Sequence, residues 1–213
     1  MIISVLNEVS NYILNIDPLE FAGLIFGLLA VIFLIKENIL TWPAGIIYVL
    51  ISFVIFWEAK LYGDFLLHIV FLILNIYGWH SWRQTSSKQS TQVPILRLSQ
   101  AQFIKIFIAT LIGIFAFAQA LIYIPSWIAD MPPASLPYWD STTSVLSVTG
   151  MWLTAKKYID NWYYWLVVDI LATGIYFYKD ISFYSLLYFI YIGLAIAGYL
   201  AWKKSMKLQV NPQ

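Results

Sequence analysis

The feature that most constrains this chain is a series of uninterrupted apolar stretches, each close to the length that crosses a bilayer as a helix. Seven of them lie at residues 21–35, 40–57, 65–82, 103–122, 141–155, 162–178 and 184–202. Polar and apolar residues do not alternate within them, which favours helices over the strands of an outer-membrane barrel. Since 61% of the residues are hydrophobic and only 11% charged, the composition agrees. The sequence predicts an all-α integral membrane protein with seven transmembrane helices.

The remaining composition narrows the class of function. Residues 1–19 have no preceding positive charge and no small-residue cleavage pattern, so a short amphipathic helix on the membrane surface is expected there instead of a signal peptide. The chain has no cysteine, which excludes disulfides and thiolate metal sites, and we expect no cofactor. A net charge of +1 gives no indication of a nucleic-acid partner.

The basic residues are distributed unevenly between the two sides of a seven-helix bundle. Ten fall on one side: Lys36, Arg83, Lys88, Arg97, Lys105, Lys156, Lys157, Lys203, Lys204 and Lys207. Only Lys60 and Lys179 fall on the other. Because cytoplasmic loops carry the excess of Lys and Arg, this pattern predicts a multi-pass protein of the bacterial inner membrane with its N-terminus outside and its C-terminus in the cytoplasm.

An internal repeat is visible at an offset of 120 residues. The stretch "KENILTWPAGIIYVLISFVIFWEAKLYGDFLLHIVFLILNIYGWHSW" aligns without gaps with "KKYIDNWYYWLVVDILATGIYFYKDISFYSLLYFIYIGLAIAGYLAW". The informative identities are Trp42 with Trp162, Gly78 with Gly198, and Trp82 with Trp202. The polar stretch "RQTSSKQSTQVPILRLSQ", residues 83–100, reads as a connector between the two halves.

This repeat predicts a three-one-three architecture within a single membrane domain, residues 1–213. Residues 18–83 form the first three-helix repeat, residues 84–137 contain the linker and a fourth helix, and residues 138–204 form the second repeat. The single extra helix returns the chain to its starting side, so the two repeats are parallel, as in the SWEET transporters. A substrate pathway is therefore expected between the repeats.

Asp169 is the most informative polar residue, because it lies in the middle of the sixth apolar segment. A carboxylate facing lipid costs about 2.5–3.5 kcal/mol even on a lenient scale, so Asp169 is expected to face the pathway. Trp162, Trp165, Thr173 and Tyr176 follow helical spacing and share its face.

Other polar residues inside the segments complete a predicted pocket for a small, flat, hydroxylated molecule, and best for an aromatic cation. The predicted substrate-binding residues are Asp169, Trp165, Trp162, Thr173, Tyr176, Asn75, Ser144, Ser147 and Tyr188. Each has a structural alternative. Tryptophans near helix ends, Trp42, Trp82, Trp162 and Trp202, are expected to form an interfacial belt, the hydroxyls and amide can join neighbouring helices, and Asp169 can form an ion pair.

The segment "DSTTSVLSVTGMWLTAKKYIDNWYYWLVVDILATGIYFYKD" and the downstream "LLYFIYIGLAIAGYLAW" resemble the second half of PnuC-type vitamin transporters. The resemblance extends over essentially the whole chain. It implies a SWEET-like fold and facilitated diffusion of nicotinamide riboside, which a cytoplasmic kinase then retains by phosphorylation. The lipid bilayer and the vitamin are the implied partners, and a homo-oligomer is compatible with the sequence.

One departure from the resemblance concerns the substrate. Members that take nicotinamide riboside often have Ala-Gln where this chain has Gly150 and Met151, so a pathway amide is missing. Thiamine or another vitamin is therefore an alternative substrate.

Two other classes of function fit the sequence less well. An integral-membrane enzyme is disfavoured, because the chain has no HExxH, GxSxG or P-loop motif and only two histidines, His68 and His80. A channel is disfavoured, because no stretch resembles a selectivity filter or a ring of charges.

Overall fold

The computed structural model describes residues 2–59, 61–89, 93–127 and 136–210. The helices are α1 (Ile2–Asn15), α2 (Pro18–Ile35), α3 (Thr41–Glu58), α4 (Tyr62–Gln89), α5 (Gln100–Tyr123), a short 3₁₀ helix (Ile124–Trp127), α6 (Pro137–Ala155), α7 (Asn161–Tyr178) and α8 (Ser182–Val210). Each predicted apolar segment coincides with one of α2–α8, and the ends agree to within a few residues except at the C-termini of α4 and α8. The all-helical prediction is therefore confirmed for the described residues. Lys60 and the side chain of Lys88, both used in the charge count, lie outside the described part of the chain.

Among the described residues, five helical segments are long and apolar enough to cross a membrane: Pro18–Ile35, Thr41–Glu58, Asp64–Gln84, Gln100–Tyr123 and Ser182–Gln209. Helix α5 shows the consequence most clearly, since Phe107, Leu111 and Phe115 on its surface are all about half exposed or more. Apolar side chains exposed in this way face lipid in a membrane protein. Helices α6 and α7 are comparable in length to α2 but carry more polar residues.

Local sequence explains where several helices begin. Asp17 caps α2, because its carboxylate accepts hydrogen bonds from the backbone N–H groups of Leu19 and Glu20. Ser99 and Gln102 form a reciprocal capping box at the start of α5. Pro137 occupies the first turn of α6, where its missing N–H group leaves no hydrogen bond unmade.

The α2–α3 and α6–α7 loops have the same backbone structure. Glu37 and Lys157 both adopt left-handed conformations, with φ of 54° and 57°. Each donates its N–H group to a carbonyl three residues earlier at 2.9 Å, Glu37 to Leu34 and Lys157 to Thr154. The positions differ by 120 residues, the same offset as the sequence repeat.

Helix packing joins the two halves of the chain. Neighbours in sequence pack together within α2–α4 and within α6–α8, and contacts between α2 and α8 and between α4 and α6 connect the two groups. Helix α1 packs on α8, where the Tyr12 ring stacks on Phe183 with centroids 4.2 Å apart. The predicted N-terminal helix is therefore present, and its position on the membrane surface stays a prediction.

The predicted polar connector is only partly a linker. Its first residues continue α4 to Gln89, and residues 93–99 pack as an extended segment with Ile95 and Leu98 buried. The backbone of Leu96 pairs with the α6–α7 loop, donating to Lys157 at 3.0 Å and accepting from Ile159 at 2.9 Å. Buried apolar side chains and paired backbone explain why this stretch is ordered: it joins the α6–α7 loop to the end of α8.

Candidate functional site

Asp169 lies inside the protein on α7, with only 7% of its surface exposed. No basic side chain pairs with it among the described residues, so the ion-pair alternative gains no support. Its backbone carbonyl accepts a hydrogen bond from the Thr173 hydroxyl at 2.7 Å. The carboxylate lies within electrostatic range of Tyr188 and Tyr191 on α8. The carboxylate is therefore enclosed by the protein, and that it faces a substrate pathway stays a prediction.

Three tyrosines of the second half form a connected group beside Asp169. The rings of Tyr176 and Tyr188 are stacked, with centroids 5.4 Å apart and an interplanar angle of 12°. Tyr191 continues the group, 5.9 Å from Tyr188. Tyr184 stacks on the other side of Tyr176 at 5.4 Å. Helices α7 and α8 thus present a column of aromatic faces with phenolic hydroxyls.

The first half contains the equivalent group at the same three positions, less 120. Phe56 lies 4.7 Å from His68, and His68 lies 5.3 Å from Phe71. These correspond to Tyr176, Tyr188 and Tyr191. The two groups therefore share ring positions but differ in polarity, since only the second carries hydroxyls.

The two groups approach each other at Gly27 on α2. A Cβ atom added at Gly27 would lie 3.4 Å from the Tyr48 ring and 3.5 Å from the Tyr191 hydroxyl. Tyr48 also lies 5.9 Å from His68. The absence of a side chain at Gly27 leaves room for the Tyr48 side chain of α3 and the Tyr191 side chain of α8 to approach the same point on α2. We define the aromatic site as Tyr48, Phe56, His68, Phe71, Asp169, Tyr176, Tyr188 and Tyr191.

A second cluster, built from four tryptophans, closes the other end of the same helices. Trp42 meets Trp82 edge to face at 5.3 Å, Trp162 meets Trp202 edge to face at 5.6 Å, and Trp82 lies 6.2 Å from Trp202. All four are buried, with at most 2% exposed. The expected interfacial belt is therefore wrong for these residues, because they pack against each other inside the bundle. We call them the tryptophan cluster.

The cluster depends on two glycines at equivalent positions. A Cβ atom at Gly78 would overlap the Trp42 ring, and one at Gly198 would overlap the Trp162 ring. Each glycine therefore makes the space that an indole occupies, and the pairing is the same in both halves.

A buried ion pair covers the tryptophan cluster. Lys157 Nζ lies 2.8 Å from a carboxylate oxygen of Glu37, and the two side chains are 1% and 7% exposed. The ammonium also lies 5.0 Å from the Trp82 ring centre and donates to the Val93 carbonyl at 2.5 Å. Burial lowers the pKa of Lys157, while the hydrogen bond and charge of Glu37 oppose that shift. The two equivalent loop positions thus meet each other with opposite charges.

A family model described as "Nicotinamide mononucleotide transporter" matches residues 17–204, which cover α2–α7 and most of α8. The chain belongs to this family. Membership in the nicotinamide mononucleotide transporter family makes the chain a multi-pass membrane transporter and not a membrane enzyme, which confirms that part of the sequence prediction.

Relatives and a solved structure agree with this family. Nicotinamide riboside transporter PnuC of Escherichia coli (strain K12) is 28% identical over 210 residues, covering 91% of this chain and 88% of the relative. Riboflavin/roseoflavin transporter RibM of Streptomyces davaonensis is 24% identical over 184 residues, covering 86% of this chain and 83% of the relative. The crystal structure of the vitamin B3 transporter PnuC has a TM-score of 0.71 at 24% identity, covering 97% of this chain and 89% of that one, and shows the same fold.

Within this family fold, the predicted site residues divide between the two regions. Asp169, Thr173, Tyr176 and Tyr188 lie in or beside the aromatic site. Trp162 belongs to the tryptophan cluster, seven positions and about 10 Å along α7 from Asp169.

Trp165 lies one turn from Asp169 and donates its indole N–H to the Thr154 hydroxyl of α6 at 3.2 Å. Asn75 donates to the Phe71 carbonyl at 2.9 Å, and a Cβ at Gly45 would overlap its amide oxygen. Ser144 and Ser147 lie on α6, half-buried and buried respectively. These four stay candidates.

Five residues of the aromatic site were not among the predicted site residues: Tyr48, Phe56, His68, Phe71 and Tyr191. The repeat carried a signal for Phe56 and His68, because they are the equivalents of the predicted residues Tyr176 and Tyr188 in the other half. Tyr48 has no such signal, since its equivalent is Val168.

Proposed function

We propose that this transporter carries nicotinamide riboside across the bacterial inner membrane by facilitated diffusion. The observation that carries the proposal is a buried carboxylate, Asp169, near Tyr188, whose ring is stacked on that of Tyr176. A pyridinium ring is flat, aromatic and positively charged, so it gains both stacking and charge attraction at such a place. The name of the Escherichia coli relative supports the same substrate.

The aromatic site supplies the two kinds of contact that the substrate needs. The tyrosine faces accept the ring by stacking or cation–π attraction, and their hydroxyls together with Asp169 hydrogen-bond polar substituents. Asp169 either balances the charge of the ring or accepts hydrogen bonds from ribose hydroxyls. Trp165, Thr173, Asn75, Ser144 and Ser147 are the further residues proposed to line the path.

The proposed path runs between two parallel three-helix repeats, α2–α4 and α6–α8, with α5 as the single linking helix. Helices α6 and α7 have 19 and 18 residues, and 18 residues of helix rise about 27 Å, close to the thickness of the hydrocarbon core. The matching hydrogen bonds of the α2–α3 and α6–α7 loops support the repeat. The Glu37–Lys157 contact supports a symmetry axis passing between these two loops, because equivalent positions meet at such an axis.

The proposed orientation places the N-terminus outside and the C-terminus in the cytoplasm. The excess of basic residues on one side supports it, and the tryptophan cluster then closes the cytoplasmic end. Single cysteines are introduced at Lys207, near the C-terminus, and at Asp180, in the α7–α8 turn, in this cysteine-free chain. In intact spheroplasts a membrane-impermeant maleimide should label the second and spare the first. Labelling of position 207 from outside overturns the orientation.

A second candidate substrate is riboflavin, favoured by the similarity to RibM. The sequence departure at Gly150 and Met151 also leaves room for thiamine.

Gly150 is a packing residue, since an added Cβ would lie 3.2 Å from Tyr164. Position 150 therefore sets the spacing of α6 and α7, and Met151 packs against the core that holds the tryptophan cluster.

Binding to purified protein and uptake into proteoliposomes test the proposal together. Nicotinamide riboside should bind most tightly of the three vitamins and should enter protein-containing vesicles with saturable kinetics and counter-exchange, without an imposed ion gradient. If riboflavin or thiamine binds more tightly, that vitamin becomes the proposed substrate in place of nicotinamide riboside. The proposal that the protein is a vitamin transporter then still stands. Uptake that requires an ion gradient overturns facilitated diffusion. In cells, retention should require the cytoplasmic kinase, and light scattering of the purified protein reports whether it is a homo-oligomer.

A further inference from the structure

His68 is a buried residue whose hydrogen-bonding capacity is only half used. It lies on α4 with 6% of its surface exposed. Its Nδ1 atom is 2.9 Å from the Asp64 backbone carbonyl. A carbonyl oxygen can only accept, so Nδ1 carries the ring proton and Nε2 presents a lone pair. Nε2 is buried and has no partner among the described residues.

Among the described residues, no donor lies within hydrogen-bonding distance of that lone pair. The neighbouring groups are the rings of Phe56, Phe71 and Tyr48, with centroids 4.7, 5.3 and 5.9 Å away. The nearby Ser52 hydroxyl already donates to the Tyr48 carbonyl at 2.9 Å. A buried acceptor without a partner costs about 1–3 kcal/mol, and such groups in native proteins call for an explanation.

The position of His68 within the repeat points to a ligand as that explanation. His68 is equivalent to Tyr188, the central ring of the tyrosine group. The tyrosine group and Asp169 supply the hydroxyls and the charge of the aromatic site, whereas the first-half group supplies apolar rings and this single acceptor. Tyr48 connects the two groups, because its ring lies 5.9 Å from His68 and lies beside Gly27 together with the Tyr191 hydroxyl. A substrate whose aromatic ring lies against the tyrosines would therefore extend its other end towards His68.

We propose that His68 Nε2 accepts a hydrogen bond from a sugar hydroxyl of the transported molecule, and so selects substrates that carry that hydroxyl. This inference rests on the proposed function, because it assumes a hydroxylated heteroaromatic substrate in the aromatic site. An analogue without the hydroxyl would leave this buried acceptor without its hydrogen bond and should therefore bind more weakly.

The variants His68→Phe and His68→Gln separate hydrogen bonding from packing. Phenylalanine keeps a ring and removes the acceptor, whereas the side-chain oxygen of glutamine can reach the place of Nε2. Titration of nicotinamide riboside and of its 2′-, 3′- and 5′-deoxy analogues should give about tenfold weaker binding of the parent to His68→Phe, and near wild-type binding to His68→Gln. One deoxy analogue should bind wild type and His68→Phe equally. His80→Phe is the matched control, because His80 is exposed on the same helix and bonds to Gln84.

Several outcomes overturn the inference. Equal binding of the parent molecule to wild type and His68→Phe does so, and so does an equal loss for every analogue, which indicates a packing role. If His68→Phe does not fold, the affinities of the three deoxy analogues and of the parent molecule are compared on wild-type protein alone. If all three analogues bind as tightly as the parent, no hydroxyl is recognised and the inference is overturned. When nicotinamide riboside does not bind wild type, the proposed function fails first. The same variants are then titrated with riboflavin, and binding of neither molecule overturns both proposals.

Discussion

The tryptophan cluster and the aromatic site are made by the same helices, yet the two halves of the chain contribute to them differently. In the tryptophan cluster the halves match, with Trp42 and Trp162, Trp82 and Trp202 in equivalent places. In the aromatic site the ring positions match but the chemistry does not, since Phe56 and Phe71 are the equivalents of Tyr176 and Tyr191 in the other half. The comparison indicates that one end preserves packing while the halves have diverged in polarity at the other, which agrees with the proposed recognition of an asymmetric molecule there.

Packing geometry explains why the tryptophan cluster keeps its symmetry. Each indole fills the space left by a glycine, and the overlap that a Cβ would cause is the same at Gly78 and Gly198. A change in one half alone would leave either a void or a clash, both of which destabilise a packed core. The Glu37–Lys157 pair is an asymmetric element at this end, where two equivalent positions meet and carry opposite charges.

The aromatic site has no comparable constraint. Replacing a phenylalanine by a tyrosine adds one hydroxyl to a position already shaped for a ring. The two halves can therefore differ in polarity without losing their packing, and Asp169 stands where the first half has Val49. An asymmetric substrate needs unlike contacts at its two ends, which this divergence supplies.

The largest effect should follow from removing the cation of the buried pair. In Lys157→Met the Glu37 carboxylate stays buried without its partner, and breaking such a pair costs about 3–5 kcal/mol. For a chain of this size that corresponds to a fall of roughly 6–20 °C in the melting temperature, measured in detergent by the loss of monodisperse protein.

Two variants accompany that measurement. Glu37→Met combined with Lys157→Met should recover most of the loss, because no uncompensated charge remains. Lys36→Met is the matched control, since Lys36 is the exposed neighbour of Glu37. A wild-type melting temperature for Lys157→Met would show that the pair contributes nothing to the packed end.

The next largest effect concerns the glycines under the indoles. Gly198→Ala and Gly78→Ala should each destabilise the protein by about 1–3 kcal/mol, the usual cost of overpacking, and by similar amounts in the two halves. Gly193→Ala on α8 is the control, because an added Cβ there meets nothing within 4 Å. Thermal unfolding compares the three. A clear difference between the Gly78 and Gly198 variants would contradict the symmetry of this end.

Trp165 lies between the aromatic site and the tryptophan cluster, one turn from Asp169, and its indole N–H donates to the Thr154 hydroxyl. A variant at this position tests whether it contacts the substrate. Trp165→Ala should weaken nicotinamide riboside binding by about 1–3 kcal/mol, the scale of a lost stacking or cation–π contact. Calorimetric titration measures it, with Trp152→Ala as the control because Trp152 is exposed on α6. Unchanged affinity in a folded variant would assign Trp165 to packing alone.

Much of the fold follows from the sequence, because long apolar runs leave few alternatives to membrane helices. The helix ends were less predictable. Helices α4 and α8 continue to Gln89 and Val210, well past their apolar runs, and a hydropathy pattern carries no signal for polar helical turns.

The site was predicted less completely, for a physical reason. Position along a helix shows how deep a residue lies but not what covers it, so Trp42 and Trp162 resembled belt residues although glycines on neighbouring helices enclose them. For the same reason, Lys157 was counted simply as one of the ten basic residues on one side of the bundle, and its charge alone carries no sign that it is buried. The repeat held a usable signal, since Glu37 and Lys157 are equivalent positions with opposite charge, and residues near a symmetry axis meet their own equivalents.

The smallest effect on stability, and the most specific on function, is expected at Asp169. Asp169→Asn keeps the size of the side chain and removes a buried charge, so the variant should fold with a melting temperature equal to or above that of wild type. Transport should nevertheless fall about tenfold for a cationic substrate, equivalent to about 1.4 kcal/mol, because an amide accepts a hydrogen bond but cannot balance a charge. Asp180→Asn is the matched control: Asp180 is exposed at the end of the same helix with φ of 56°, a conformation that asparagine tolerates. Uptake of radiolabelled nicotinamide riboside, normalised to protein in the membrane, is the measurement. Full activity of Asp169→Asn with loss of activity in Asp169→Ala would show that Asp169 acts as a hydrogen-bond acceptor and not as a counter-charge. Full activity of both variants would show that Asp169 has no role in transport.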